Sequence, residues 1–263
     1  MKILLLLALM FGCHSPVDVT TDAAVDTDAP VRRALTLAMG QSNNTGHGLL
    51  SEVDPAWAVP SPTVMLYSHL GQNDPPVFSD YTGPLQARAN GEFGPELSIG
   101  LDISDRDIIK CGVGGTSLYE DWNPTGSWPS ADANLYSICL RFAHDVETST
   151  GGQITAIAWS HGEADAVTEA PSLAYGDNLR AFAGLMLDEF PCARFFYYRL
   201  PKRLSFSANV RAGQERDATD PWMTMVDVDT LPTLGVHFTS DGYLMLGDVY
   251  AAAMNAAEDR CAR

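Results

Sequence analysis

Ala34-Leu35-Thr36-Leu37-Ala38-Met39-Gly40-Gln41-Ser42-Asn43 is the stretch on which the reading of the chain turns. Residues 34–39 are an apolar run of strand length with little alternation, the pattern of a strand buried on both faces of a parallel sheet. Gly40 breaks the run and a polar loop follows, which lifts Ser42 above the sheet edge. In open α/β sheets ligands bind in the crevice beyond the carboxyl ends of the strands, and that is where Ser42 would stand. The loop is not the Gly-x-Ser-x-Gly elbow of α/β-hydrolases, because Asn44 occupies the place of the second glycine.

Outward from this strand the same pattern recurs. Asp107 to Val113 reads as a second buried strand ending in Gly114-Gly115-Thr116-Ser117, and Ile154 to Trp159 as a third running into Ser160-His161-Gly162-Glu163. Arg194 to Leu200 and Met223 to Val228 read as the fourth and fifth. Between Leu49 and Gly100 only Thr63 to Tyr67 has strand character, so that region is expected to be loop-dominated, with a short helix near Phe93 to Leu97. Leu135, Ile138, Cys139, Phe142 and Val146 recur at helical spacing, as do Leu179, Phe182, Ala183 and Met186 before Pro191. A last helix is expected from about Thr239-Ser240-Asp241, burying Leu246, Tyr250, Ala253 and Ala257. Strands separated by helices imply an α/β fold with a mostly parallel sheet and helices on both faces.

Length and composition fit one main domain: 263 residues with 46% apolar content supply a sizeable core. The formal charge of -17 argues against nucleic acid, whose phosphates require a basic surface. Residues 1–12, a basic start and a short apolar run, read as an export signal. The signal ends in Gly12-Cys13, which resembles the lipobox of bacterial lipoproteins and makes Cys13 the candidate lipidation site. Residues 13–30 are acidic, low in complexity and without period, and are expected to be a solvated tether. The expected localisation is a bacterial envelope lipoprotein held to a membrane through Cys13, or a secreted form. Of the remaining cysteines, a Cys192 to Cys261 bridge is favoured, while Cys111 and Cys139 sit in apolar patterns that also suit buried thiols.

The loops after the first, second and third strands share one edge of a parallel sheet, and His237 follows the last strand toward it. A hydroxyl nucleophile needs a base, a group that orients the base, and donors for the developing oxyanion. Gly40-Gln41-Ser42-Asn43, Gly114-Gly115-Thr116-Ser117-Leu118 with Trp122, Trp159-Ser160-His161-Gly162-Glu163-Ala164-Asp165, and Val236-His237-Phe238 occur in fixed order. Together they resemble the carbohydrate esterase family 6 and sialate O-acetylesterase-like branch of the SGNH hydrolases, over about Leu35 to the end. Phe93-Gly94-Pro95-Glu96 also resembles a segment found between the first two blocks.

The resemblance implies a flavodoxin-like three-layer α/β/α sandwich over residues 31–263 and deacetylation of carbohydrate through an acyl-serine, without metal or other cofactor. Ser42 matches the nucleophile, His237 the base and Glu163 the acid. The N–H groups of Ser42 and of the Gly114-Gly115 turn would make the oxyanion hole. His161 stands where the family carries Gln and would be an oxyanion-side donor. Leu234 stands where many SGNH enzymes carry Asp, so Glu163 is the leading orienting acid, with Asp229 and Asp227 as alternatives. Gln41, Asn43 and Trp122 are the candidate substrate contacts, and Trp128 is a second tryptophan able to stack on a sugar. A glycan-binding lipoprotein without turnover and an SGNH thioesterase or lipase-like acyl hydrolase are the alternative readings.

Overall fold

The computed structural model describes residues 32–72, 76–124, 134–258 and 260–261, and the compact unit Arg32–Arg263 carries every element below. The expected signal, the 13–30 tether with Cys13, and Trp128 lie outside the described residues.

The 34–40 run forms β1 (Ala34–Gly40), buried along nearly its whole length. A two-residue strand β2 (Gly48–Leu49) pairs with β5 (Glu92–Phe93). The main sheet continues through β3 (Met65–Gln72), β4 (Val77–Pro84), β6 (Arg106–Val113), β7 (Gln153–Ser160), β8 (Arg194–Tyr198) and β9 (Met223–Val226). Its order is β4-β3-β6-β1-β7-β8-β9, and every pairing is parallel except that of β4 with β3. Two short strands, β10 (Thr233–Leu234) and β11 (His237–Phe238), form a separate antiparallel pair.

Among the described residues six α-helices join the sheet: α1 (Ser42–Thr45), α2 (Glu96–Asp102), α3 (Leu135–Thr150), α4 (Glu169–Glu189), α5 (Ser207–Asp217) and α6 (Ser240–Ala256). Packing of α2 with α6 and of α4 with α5 provides the helical layers that flank the sheet. Local chemistry sets the ends of α3 and α6. Asn134 accepts from Ser137 N at the start of α3, Gly151 closes it in the left-handed region, and Thr239 caps α6 by accepting from Gly242 N. Among the described residues no helix is long and apolar enough to cross a membrane.

The departures from expectation have local causes. The 49–100 region holds β4 as well as β3, because Val77–Pro84 is a mostly exposed edge strand whose polar sequence lacks a buried-strand pattern. The short helix begins at Glu96 rather than Phe93, since Phe93 is drawn into β5. Ala253 and Ala257 are only partly buried, and the covered face of α6 runs instead through Tyr243, Leu246, Gly247, Tyr250 and Met254. Cys192 bridges Cys261, and Cys111 bridges Cys139, so the latter two are not free thiols. The Cys111–Cys139 bridge ties β6 to α3 and closes a separation of 28 residues, which contributes roughly 3–4 kcal/mol by the loop-entropy relation.

Candidate active site

Register brings the ends of three strands level: Gly40 of β1 lies opposite Gly112 of β6 and Ser160 of β7. Gly40 has φ +140°, and a Cβ there would lie 2.2 Å from the Ser160 carbonyl oxygen, so only glycine lets β1 turn this tightly against β7. The next residue locks the turn, Gln41 N donating to Ser160 O at 3.2 Å. Ser42 then opens α1, whose last turn closes through Gly46 N and Thr45 Oγ1 donating to Ser42 O.

Beneath α1 lies a buried ion pair. Lys110 Nζ of β6 is 2.6 Å from Glu96 Oε2 and donates to Thr45 O at 3.0 Å, while Glu96 Oε1 accepts from Gly94 N. Burial draws the Lys110 ammonium down to about 8, with Glu96 opposing that shift. The Phe93-Gly94-Pro95-Glu96 segment thus supplies the counter-ion for the lysine that braces the serine helix.

Ser42, Gly114, Gly115, Glu163, His47 and His237 line one cleft of about 630 Å³, with Ala164, Val167, Leu204 and Val236 among its apolar walls. Ser42 is half-buried. A Cβ on Gly114 would fall 3.6 Å from Ser42 Cβ, which sets the glycine loop directly beside the serine. Gly115 has φ +77° and nothing within 4 Å of its missing side chain.

Glu163 is the hub of a buried network. Its oxygens accept from Gln41 Nε2, from Asn43 Nδ2 at 2.6 Å and from the Tyr198 hydroxyl. Asn43 Nδ2 also donates to Val236 O at 3.0 Å, and Asn43 Oδ1 accepts from the Tyr243 hydroxyl at 2.9 Å and from Phe238 N at 3.4 Å. One asparagine therefore ties the serine loop to both neighbours of His237. Burial raises the Glu163 carboxyl, and the three donors pull it back. Among the described residues no hydrogen bond joins Glu163 to His237, so the expected acid-to-imidazole contact is replaced by bonds to Gln41, Asn43 and Tyr198.

The alternative acids are also engaged elsewhere. Asp227 and Asp229 both meet Arg199, and Asp229 takes two further bonds from Arg211 at 2.7 and 2.8 Å. These guanidinium groups hold the Asp229 carboxyl below its ordinary range. The neighbour of His237 is instead another imidazole, His47, at 4.5 Å between ring centroids. His47 Nδ1 lies in turn 3.8 Å from Glu92 Oε1. Partial burial, with the neighbouring His47 second, lowers the His237 pKa, which favours the neutral form a base requires.

Two expected site residues belong to the core. Trp122 is fully buried, donates from Nε1 to Thr116 Oγ1 at 2.9 Å and meets Trp159 edge-on, so it has no face to offer a sugar. His161 has a fully buried side chain stacked on Trp159 at 4.6 Å, and its polar neighbours, the Thr116 backbone and Asp165 3.8 Å from Nδ1, belong to the core side of the loop. Burial lowers it to about 3, keeping it neutral inside the aromatic cluster rather than donating into the cleft. Gln41 and Asn43, expected as substrate contacts, spend their amides on Glu163, although Gln41 still borders the cleft.

A family model described as "Carbohydrate esterase, sialic acid-specific acetylesterase" matches residues 32–256. The chain belongs to this family. Members are carbohydrate acetylesterases and hence carboxylic ester hydrolases. Among solved structures, a protein from Arabidopsis thaliana is similar at TM-score 0.68 and 17% identity, covering 86% of this chain and 98% of its own. NanS follows at TM-score 0.65 and 13% identity, over 85% of this chain and 97% of that one. A carbohydrate acetylesterase from Xanthomonas citri has TM-score 0.63 and 17% identity over 85% of this chain, which spans 56% of the Xanthomonas protein. A search of curated proteins finds no match.

Within this esterase fold three site features escaped the sequence. His47 belongs to none of the ordered blocks and sits in a polar stretch, with no periodic signal to carry it to His237. Lys110 lay inside an apolar strand, where a lone charge opposite Glu96 was the available hint. Asp165, at the end of the third block, is fully buried and accepts from Leu118 N at 2.9 Å and Tyr119 N at 3.0 Å. Among the described residues no group of three or more His, Cys, Asp or Glu is placed to hold a metal ion.

Proposed function

We infer that this chain is a serine esterase that removes O-acetyl groups from carbohydrate. The observation that carries the reading is the gathering of Ser42, the Gly114-Gly115 turn and His237 around one cleft at the carboxyl edge of the sheet. Ser42 Oγ attacks the acetyl carbonyl carbon while His237 takes its proton. Backbone N–H groups of Ser42 and the Gly114-Gly115 turn receive the oxyanion. The tetrahedral adduct collapses, the C–O bond to the sugar breaks, and the proton on His237 passes to the departing sugar oxygen. Water then gives a proton to His237 and attacks the acetyl-serine, the bond to Ser42 Oγ breaks, and His237 returns the proton to Ser42 Oγ, releasing acetate and restoring the enzyme.

Glu163 acts in this scheme through Asn43. It holds the serine loop and the His237 segment together and leaves the imidazole to be oriented by its surroundings, His47 among them. The apolar walls of the cleft suit an acetyl group, and the carboxyl of Glu163 is turned to Gln41, Asn43 and Tyr198. Export and lipidation at Cys13 would place the enzyme at a membrane surface, and Cys13→Ser tests that by abolishing incorporation of labelled fatty acid.

The test of the activity is acetate release from acetylated oligosaccharides and from an aryl acetate, by the native protein and by Ser42→Ala. Release that Ser42→Ala abolishes supports the reading, and release that survives it refutes the reading. The lack of a carboxylate on His237 among the described residues favours one second reading, a glycan-binding protein without turnover. Binding of acetylated glycan with no acetate release would establish it.

A further inference from the structure

The glycine turn that would receive the oxyanion has little packing of its own. Gly115 faces open space where a side chain would be, so the turn depends on hydrogen bonds from the residues that flank and follow it. Within the loop, Thr116 Oγ1 donates to Val113 O at 2.8 Å, and Asp121 Oδ2 accepts from Ser117 N at 2.6 Å. Across to the next loop, the two oxygens of Asp165 take the successive N–H groups of Leu118 and Tyr119, one each. Asp165 lies in the turn after β7, in the same segment as Glu163, so one short segment holds both sides of the site: Glu163 the serine side, Asp165 the glycine side.

We propose that Asp165 is a positioning residue for oxyanion stabilisation, its ionised carboxylate holding the Leu118–Tyr119 backbone so that the Gly114-Gly115 turn stays aimed beside Ser42. This rests on the serine-esterase reading above. An ionised carboxylate accepts strongly at both oxygens; a protonated one carries no charge and accepts only weakly at its hydroxyl oxygen. Protonation therefore weakens both anchors, the one at the hydroxyl oxygen most.

The surroundings make that protonation accessible. Burial pushes the Asp165 carboxyl up to about 7, and the like charge of Asp121 on the facing loop adds to the shift. From its own segment His161 Nδ1 stands 3.8 Å away, held neutral by burial. From α4, Tyr175 donates its hydroxyl to His161 O, and its own pKa is raised well above the ordinary range by burial first and by Asp165 second. On the side toward α5 the turn is met by Phe206 N donating to Ala166 O. The working form exists above about pH 7 and is lost as pH falls through that value.

The experiment compares kcat, KM and the pH profile of aryl-acetate hydrolysis for the full chain and Asp165→Asn, with Ser42→Ala as control. Asparagine keeps the shape but presents an N–H₂ to one of the two backbone donors. The expected result is a kcat lower by roughly 10-fold or more at pH 8 with KM within about twofold, a fraction of the ~10²- to 10³-fold cost of losing an oxyanion donor outright. In the native protein the acid limb of kcat/KM is expected near 7, and in the variant it should fall below the ordinary imidazole value of about 6.5, where only His237 is left to titrate. A folded Asp165→Asn with native kcat and an unmoved acid limb overturns the proposal. Should the variant fail to fold, Asp165→Glu, which keeps the charge but displaces the carboxylate, serves instead: a lowered kcat with KM within about twofold supports the proposal, and native kcat overturns it. Hydrolysis that persists in Ser42→Ala overturns it by removing the esterase reading beneath it, a failure distinct from that of the anchor.

Discussion

Replacing Lys110 by Met, alone and then together with Glu96→Leu, separates what the ion pair beneath the serine helix costs from what it secures. The two charged groups are 2.6 Å apart, and their side chains are 1% and 2% exposed. Removing the ammonium alone leaves a buried carboxylate without its counter-ion and the Thr45 carbonyl without its donor. Breaking one side of a buried pair typically costs about 3–5 kcal/mol, and the orphaned carbonyl puts Lys110→Met at the upper end, about 4–5 kcal/mol. That is a large share of the roughly 5–15 kcal/mol by which a domain is stable. Replacing both partners by apolar residues of similar volume is typically neutral or stabilising by about 1–4 kcal/mol, here offset by the unmet Thr45 carbonyl, so the double variant should lie near the native value. Urea unfolding followed by tryptophan fluorescence at pH 7 measures all three proteins. The reasoning fails if Lys110→Met costs less than about 1 kcal/mol or if the double variant is as unstable as the single one. The sign of the pH dependence is a second check. The folded value of about 8 lies below the unfolded value of about 10.4, so the unfolded chain binds more protons between them. Native stability therefore gains a rising contribution across that window, which Lys110→Met removes.

Other consequences concern the cleft. In an NMR titration the His237 imidazole should titrate below the ordinary value of about 6.5, and His47→Gln should raise its midpoint by removing the neighbouring charge; an unchanged midpoint contradicts the pairing of the two rings. Gly115→Ala meets no side-chain clash but must hold φ +77°, at a cost of roughly 1–2 kcal/mol. It should lower kcat more than it raises KM, and native kinetics would remove the turn from the oxyanion site. Glu163→Gln keeps the shape of the hub but turns an acceptor into a donor facing the Gln41 or Asn43 amide. It should reduce kcat and Tm together, whereas an acid acting only on the imidazole would change the His237 midpoint and leave Tm unmoved.

The fold was legible wherever burial wrote a pattern. β1, β6, β7 and β8 are largely apolar because both faces are covered, and the glycines at the end of β1 and just after β6 mark where the backbone must turn at the sheet edge. β4 was not legible, since an exposed edge strand such as Ser79-Asp80-Tyr81-Thr82 has no apolar face to announce it. The site divides the same way. Ser42, Gly114 and Gly115 reach one cleft because each follows a strand ending on the same edge, which order along the chain reveals; His237 arrives there from β11, one strand of the separate antiparallel pair. Side-chain partners are set by distances across loops, which order does not reveal. Glu163 could have faced His237 or Asn43 with equal economy of sequence, and only the fold shows it bonded to Asn43, Gln41 and Tyr198. Trp122 and His161 sit among active-site blocks yet serve the aromatic core around Trp159, because a block names a neighbourhood and not the direction in which a side chain points.

The central claim, that Ser42 carries the acyl group, is tested most directly by quenching the protein in acid during turnover of an aryl acetate and mapping modified peptides by mass spectrometry. The account predicts one acetyl group on Ser42, none on the Ser42→Ala protein, and loss of acetate release in that variant. Steady acetate release with no acetyl on Ser42, undiminished in Ser42→Ala, would contradict it.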